Sequence, residues 1–173
     1  MALMPRRKIV GVIGSHSEPW EEYAAPLGVW IAQRGFHLLT GGGGGVMLSV
    51  SRAFCSVAGR EGLVLGVVPM DGAGDVVKEG YPNEYVDVAI LSPLGTFTGE
   101  DPDQVSRNHI NVMTSDVLVI LPGAVGTLNE ANLAVKFSKP AVLFGPPECF
   151  AGFQVELPRR QNLEVVAKFV DCA

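Results

Sequence analysis

The segment from Val117 to Glu130 constrains this chain more than any other. It reads Val-Leu-Val-Ile-Leu-Pro-Gly-Ala-Val-Gly-Thr-Leu-Asn-Glu. Its first five residues are apolar and three of them are β-branched, which suits a strand covered on both faces. Pro122 has no N–H to give to a ladder, so the strand ends there. Gly123 and Gly126 let the backbone turn and approach a ligand with no Cβ in the way. Thr127 is placed to cap the next helix, with Glu130 three residues on at the capping-box spacing. The free N–H groups and positive dipole end of such a helix attract an anion. The segment thus predicts a buried strand, a phosphate-binding turn and a carboxylate one turn above it. A plain turn in which Glu130 only caps its helix uses the same residues, so the rest of the chain has to decide.

A second glycine cluster bears on that choice. Phe36 to Leu39 reads as a strand, and Thr40 leads into Gly41, Gly42, Gly43, Gly44 and Gly45. Five consecutive glycines exceed what a packing turn requires, given their entropy cost, and they free the backbone to line a phosphate or ribose. No Lys-Ser or Lys-Thr follows, so the run is not a Walker motif. Asp71 lies too far along, past Pro69, to be the ribose-binding acid of a dinucleotide fold.

Other apolar runs alternate with helical patterns. Lys8 to Ile13 reads as a strand ending at Gly14 and Ser15. A helix is expected from Ser17 to about Gln33 with Pro26 inside it, and Gly35 is its stop. A one-faced helix follows from Val46 to Val57, then a strand from Leu63 to Val68 and another from Tyr85 to Leu91. Pro93 to Asp103 reads as a long loop bordering the site. A helix from Pro102 to about Met113 carries Arg107, His109 and Asn111. After the central strand come a helix from Thr127 to Phe137, a strand from Ala141 to Phe144 and a closing helix from Asn162 to Val170. The order predicts one α/β domain over residues 1–173, a Rossmann-like, mostly parallel sheet doubly wound with helices on both faces. In such a sheet the loops after strands one, two and five converge at one edge. That gathers Gly14 and Ser15, the five glycines, and Pro122, Gly123, Ala124, Gly126 and Thr127.

Composition narrows the function. The 173 residues suit one domain with a real core, and the formal charge of −5 does not favour nucleic-acid binding. No apolar run nears the ~20 residues of a membrane helix. The short run after Arg6-Arg7-Lys8 lacks a cleavage site, which points to a cytoplasmic protein. Cys55, Cys149 and Cys172 show neither a disulfide framework nor a zinc pattern. His109 reads as a packing or surface histidine, and Glu100, Asp101 and Asp103 as a solvated loop, so no metal site is expected. Lys136 and Lys139 carry no mark of a pyridoxal phosphate site. Arg107 offers a planar fork for a phosphate or for Glu130, although a solvated arginine reads the same in sequence.

Taken together, Gly41 to Gly45 with Val46-Met47, Arg107, Ser115-Asp116 and Pro122 to Glu130 resemble the LOG family, long labelled "lysine decarboxylase", whose motif is Pro-Gly-Gly-x-Gly-Thr-x-x-Glu. The similarity runs from about Ile9 to Phe144. Its enzymes are cytokinin nucleoside 5′-monophosphate phosphoribohydrolases, and a close branch comprises molybdenum-cofactor carriers that bind without hydrolysing. The run Arg107-Asn-His-Ile-Asn111 is similar to the carrier branch. Ala124 departs from the motif's second glycine. The resemblance implies a nucleotide-binding protein that hydrolyses the N-glycosidic bond of a nucleoside 5′-monophosphate, with a non-catalytic carrier or sensor as the alternative; Arg107 and Glu130 are then the catalytic pair, Glu130 stabilising positive charge on the ribose or activating water and Arg107 orienting Glu130 and the ribose hydroxyls. It implies a phosphorylated small-molecule ligand, a nucleoside monophosphate or the pterin cofactor, with no cofactor required for catalysis. A homodimer or larger homo-oligomer is expected, partly because the apolar face of Val46 to Val57 exceeds what one sheet face covers.

Overall fold

The computed structural model describes residues 6–70, 77–101 and 103–173; Asp71 and Pro102 lie outside them. Seven strands form one sheet: β1 (Ile9–Ile13), β2 (His37–Thr40), β3 (Val64–Pro69), β4 (Val88–Ser92), β5 (Val117–Ile120), β6 (Ala141–Phe144) and β7 (Arg159–Arg160). Their order is β4-β3-β2-β1-β5-β6-β7, and every pairing is parallel. The helices are α1 (Glu21–Gln33), α2 (Val46–Cys55), α3 (Arg107–Thr114), α4 (Val125–Lys136) and α5 (Leu163–Cys172). None of them is long and apolar enough to cross a membrane.

The central strand shows why the sheet is buried on both sides. Val117, Val119 and Leu121 point into one core with Leu27 and Ile31 of α1 and Val50 and Phe54 of α2. Leu118 and Ile120 point into the other, with Val112 of α3 and Leu133 of α4. Alternation along one strand therefore feeds two cores. Each large side chain buried this way contributes roughly 1.5–3 kcal/mol.

The apolar face of α2 is covered within the chain, which corrects the motive for an oligomer. Val46, Val50 and Phe54 are fully buried among α1 and the sheet. Gly28 lets α1 approach this closely, since an added Cβ would collide with the Val50 carbonyl oxygen. The edge strand β4 is the opposite case. It starts later than its apolar run suggests, and Val88 and Leu91 stay exposed.

Helix starts also differ from expectation. Ser15 Oγ accepts from the N–H groups of Ser17 and Glu18 at 3.2 and 3.0 Å, which holds that segment in a turn. α1 begins only after Trp20, which adopts a left-handed φ of 44°, and it runs through Pro26. α3 begins at Arg107 because Ser106 and His109 form a capping box; His109 Nδ1 accepts from the Ser106 N–H at 3.3 Å. The capping box expected at Thr127 and Glu130 does not form. α4 starts two residues earlier, at Val125, and Ala124 gives it no side-chain cap.

Candidate functional site

Parallel strand order reverses between β1 and β5, and a crevice opens beyond their carboxyl ends. The loops are tied together there. The Ser15 N–H donates to Pro122 O at 3.0 Å, and the Val46 N–H donates to Ser15 O at 2.9 Å. The loops after strands one, two and five thus meet as the topology requires. They enclose a cavity of about 360 Å³.

Gly14, Ser15, Gly41, Arg107, Ala124, Gly126, Thr127 and Glu130 line this cavity. The uncapped start of α4 leaves its first backbone N–H groups without a side-chain acceptor, the arrangement that suits a bound anion. Gly126 sits in that first turn, and a Cβ added there would meet no protein atom within 4 Å.

The remaining glycines hold the loops. Gly42 adopts φ 73° and lies over Gly66 of β3, and Gly45 adopts φ 56° against the Ser15 and His16 backbone. Asn83 fastens the run by donating its N–H to Gly42 O at 2.7 Å and its Nδ2 to Gly43 O at 2.8 Å. An added Cβ on Gly43 would meet Tyr81 at 2.8 Å, and one on Gly44 would meet His16 O at 3.1 Å. Of the five glycines, Gly41 alone is among the cavity-lining residues. Gly123 packs against Thr127 and Ser15, and Pro122 supplies the carbonyl that anchors Ser15.

Arg107 is buried, so the solvated-arginine reading fails. Its Nη1 donates to Gly41 O and Val67 O, both at 2.7 Å, which clamps the loop after β2 to β3. Its guanidinium stacks over the Tyr81 ring at 5.3 Å. It forms no ion pair with Glu130. The Glu130 carboxyl is held instead by Asn111, whose Nδ2 donates to Oε1 at 2.8 Å. Burial pushes the Glu130 carboxyl up to about 7, against the opposing effects of the Asn111 hydrogen bond and the Arg107 charge.

Several lining residues carry no signal in sequence. Tyr81 and His16 stack at 5.8 Å and form an aromatic wall, and Lys78 adds a cation. Asn111 is different: it lies one turn after Arg107, so helical spacing puts both on one face. His109 packs on Phe137 at 6.1 Å, and Lys139 Nζ donates to the Met113 and Ser115 carbonyls, each at 2.8 Å. Glu100, Asp101 and Asp103 are exposed.

A doubly wound parallel sheet with a crevice at its switch point defines the Rossmann-like class of α/β protein. Within that class, the SLOG cluster4 family model matches residues 7–169, and the chain belongs to that family. An uncharacterized protein of Archaeoglobus fulgidus is 31% identical over 148 residues, covering 84% of this chain and 85% of its own. The molybdenum cofactor binding protein of Rippkaea orientalis superposes with a TM-score of 0.73 at 31% identity, covering 98% of each chain. The molybdenum cofactor carrier protein of Chlamydomonas reinhardtii superposes with a TM-score of 0.72 at 27% identity, over 97% of this chain and 100% of its own.

Proposed function

We propose that this protein binds a phosphorylated, ring-bearing small molecule in the crevice and carries it without turnover, with the molybdenum cofactor as its cargo. The uncapped α4 N-terminus suits the phosphate, and the Tyr81–His16 wall suits a flat ring. Similarity to the two cofactor-binding proteins over nearly the whole chain supports the choice of cargo. The observation that favours binding over hydrolysis is that the Arg107–Glu130 pair is not assembled: Arg107 Nη1 is spent on two main-chain carbonyls, and a neutral amide, Asn111 Nδ2, holds the Glu130 carboxyl.

The same carboxyl favours a second reading. A group titrating near neutrality is suited to general acid–base work, as a nucleoside 5′-monophosphate phosphoribohydrolase requires. One experiment separates the two. Pure protein is incubated with AMP and cytokinin monophosphates, and free base is measured by chromatography; molybdenum-cofactor binding is measured in parallel. Stoichiometric cofactor binding without base release is the expected result. Base release without cofactor binding replaces the carrier reading with the hydrolase.

A further inference from the structure

Two residues that line the crevice each hold a buried polar atom with no hydrogen-bond partner among the described residues: Arg107 Nε and Asn111 Oδ1. One is a donor and the other an acceptor. Both side chains line the cavity, and both residues are more than nine-tenths buried, at 7% and 2% exposure. They lie four positions apart on α3, hence on one helical face. The rest of each group is committed. Arg107 Nη1 is held by two carbonyls, and Asn111 Nδ2 is held by Glu130. The amide therefore cannot turn its oxygen inward without giving up its bond to the carboxylate. A buried donor and a buried acceptor left unpaired cost free energy, and a ligand that reaches and matches them removes that cost.

We propose that Asn111 is a specificity-determining residue of the crevice. Its Oδ1 accepts an O–H or N–H from the ligand, while Arg107 Nε donates to a neighbouring ligand acceptor. This inference rests on the crevice being a site for a phosphorylated ligand. The lactam edge of an oxo-pterin or oxo-purine presents such an N–H beside a carbonyl oxygen. A ribose presents the same chemistry through a hydroxyl. The position is occupied by a side chain that also sets the Glu130 carboxylate, so one residue positions the acid and reads the ligand. Arg107 cannot do the second task alone, because it has no acceptor atom.

The test uses the whole protein and four probes: the molybdenum cofactor, GMP and two altered forms of GMP, one methylated at ring N1 and one lacking the 2′-hydroxyl. Binding is measured by calorimetry, with cofactor content checked by fluorescence of the oxidised pterin. Asn111→Leu removes the acceptor at similar volume, and Glu130→Gln keeps an acceptor for Asn111 Nδ2. The wild-type protein is expected to lose about tenfold or more in affinity when the read donor is missing. Loss on N1 methylation assigns the ring edge, and loss without the 2′-hydroxyl assigns the ribose. Asn111→Leu is expected to bind the molybdenum cofactor or GMP about tenfold more weakly and to lose that discrimination, whereas Glu130→Gln keeps it. A purely structural Asn111 would leave the ratio between intact and altered probes unchanged in Asn111→Leu, and that result overturns the inference. If the wild-type protein binds neither the cofactor nor GMP, the crevice reading itself falls, and this inference with it.

Discussion

Asn111 Nδ2 lies 2.8 Å from Glu130 Oε1, while the guanidinium of Arg107 turns away to two main-chain carbonyls. The acid of this crevice is thus held by a neutral amide instead of a cation. An amide offsets little of the cost of burying a carboxylate, and this is why Glu130 titrates near 7.

That cost is measurable as stability. An acid whose folded pKa lies above its unfolded value keeps a proton in the native state that the unfolded chain has released. Stability therefore falls as pH rises from about 4.5 to about 7, and the penalty is complete above that window. A shift of this size corresponds to on the order of 3 kcal/mol. Glu130→Gln removes the charge and keeps the oxygen that Asn111 needs. Its Tm should exceed that of the wild type by roughly 6–12 °C at pH 8, with the gap closing at pH 4. Calorimetric scans at both pH values check this; identical Tm values throughout would mean that the carboxyl is solvated.

Arg107 has a structural role that a point charge cannot reproduce. Arg107→Lys keeps the cation but loses the rigid fork joining Gly41 O to Val67 O. One buried carbonyl is left unsatisfied, so unfolding free energy should drop by about 1–3 kcal/mol. Urea unfolding measures the drop. Wild-type stability in Arg107→Lys would show that the clamp adds nothing.

Two glycines should respond in opposite ways. Gly126 borders the cavity with open space where a Cβ would go, so Gly126→Val should fold normally and weaken ligand binding. Gly28 lies where α1 meets α2, so Gly28→Ala should cost about 1–3 kcal/mol of stability through overpacking. Thermal scans and ligand titration on both variants separate the two effects. Unchanged affinity in Gly126→Val would place the ligand elsewhere.

Tyr81 is partly exposed, carries the His16 stack and receives the Arg107 guanidinium on its ring. Tyr81→Leu removes an aromatic face worth about 0.5–1.5 kcal/mol to a flat ring, so affinity should fall by roughly two- to tenfold. Titration with the molybdenum cofactor or GMP tests this. No change would show that the ring binds away from this wall.

Local pattern alone determined a good part of this molecule. Runs such as Ile9 to Ile13 and Val117 to Leu121 are apolar on both faces, which suits strands inside a parallel sheet covered on both sides. Strand–helix alternation then places the loops after β1, β2 and β5 at one edge, which located the crevice before any contact was known. The tertiary structure decided what pattern does not encode. β7 is two arginines, with no apolar signal, and exists because β6 offers an open edge. The face of α2 is covered by α1, a neighbour that the sequence of α2 does not specify. Four of the five glycines hold loops in place, because the available space depends on Tyr81, His16 and Gly66, which come from distant parts of the chain. Glu130 sits at a capping-box spacing, yet its partner is Asn111 on another helix. Spacing along one element fixes which side chains share a face, whereas the partner across the crevice is set by how two elements pack.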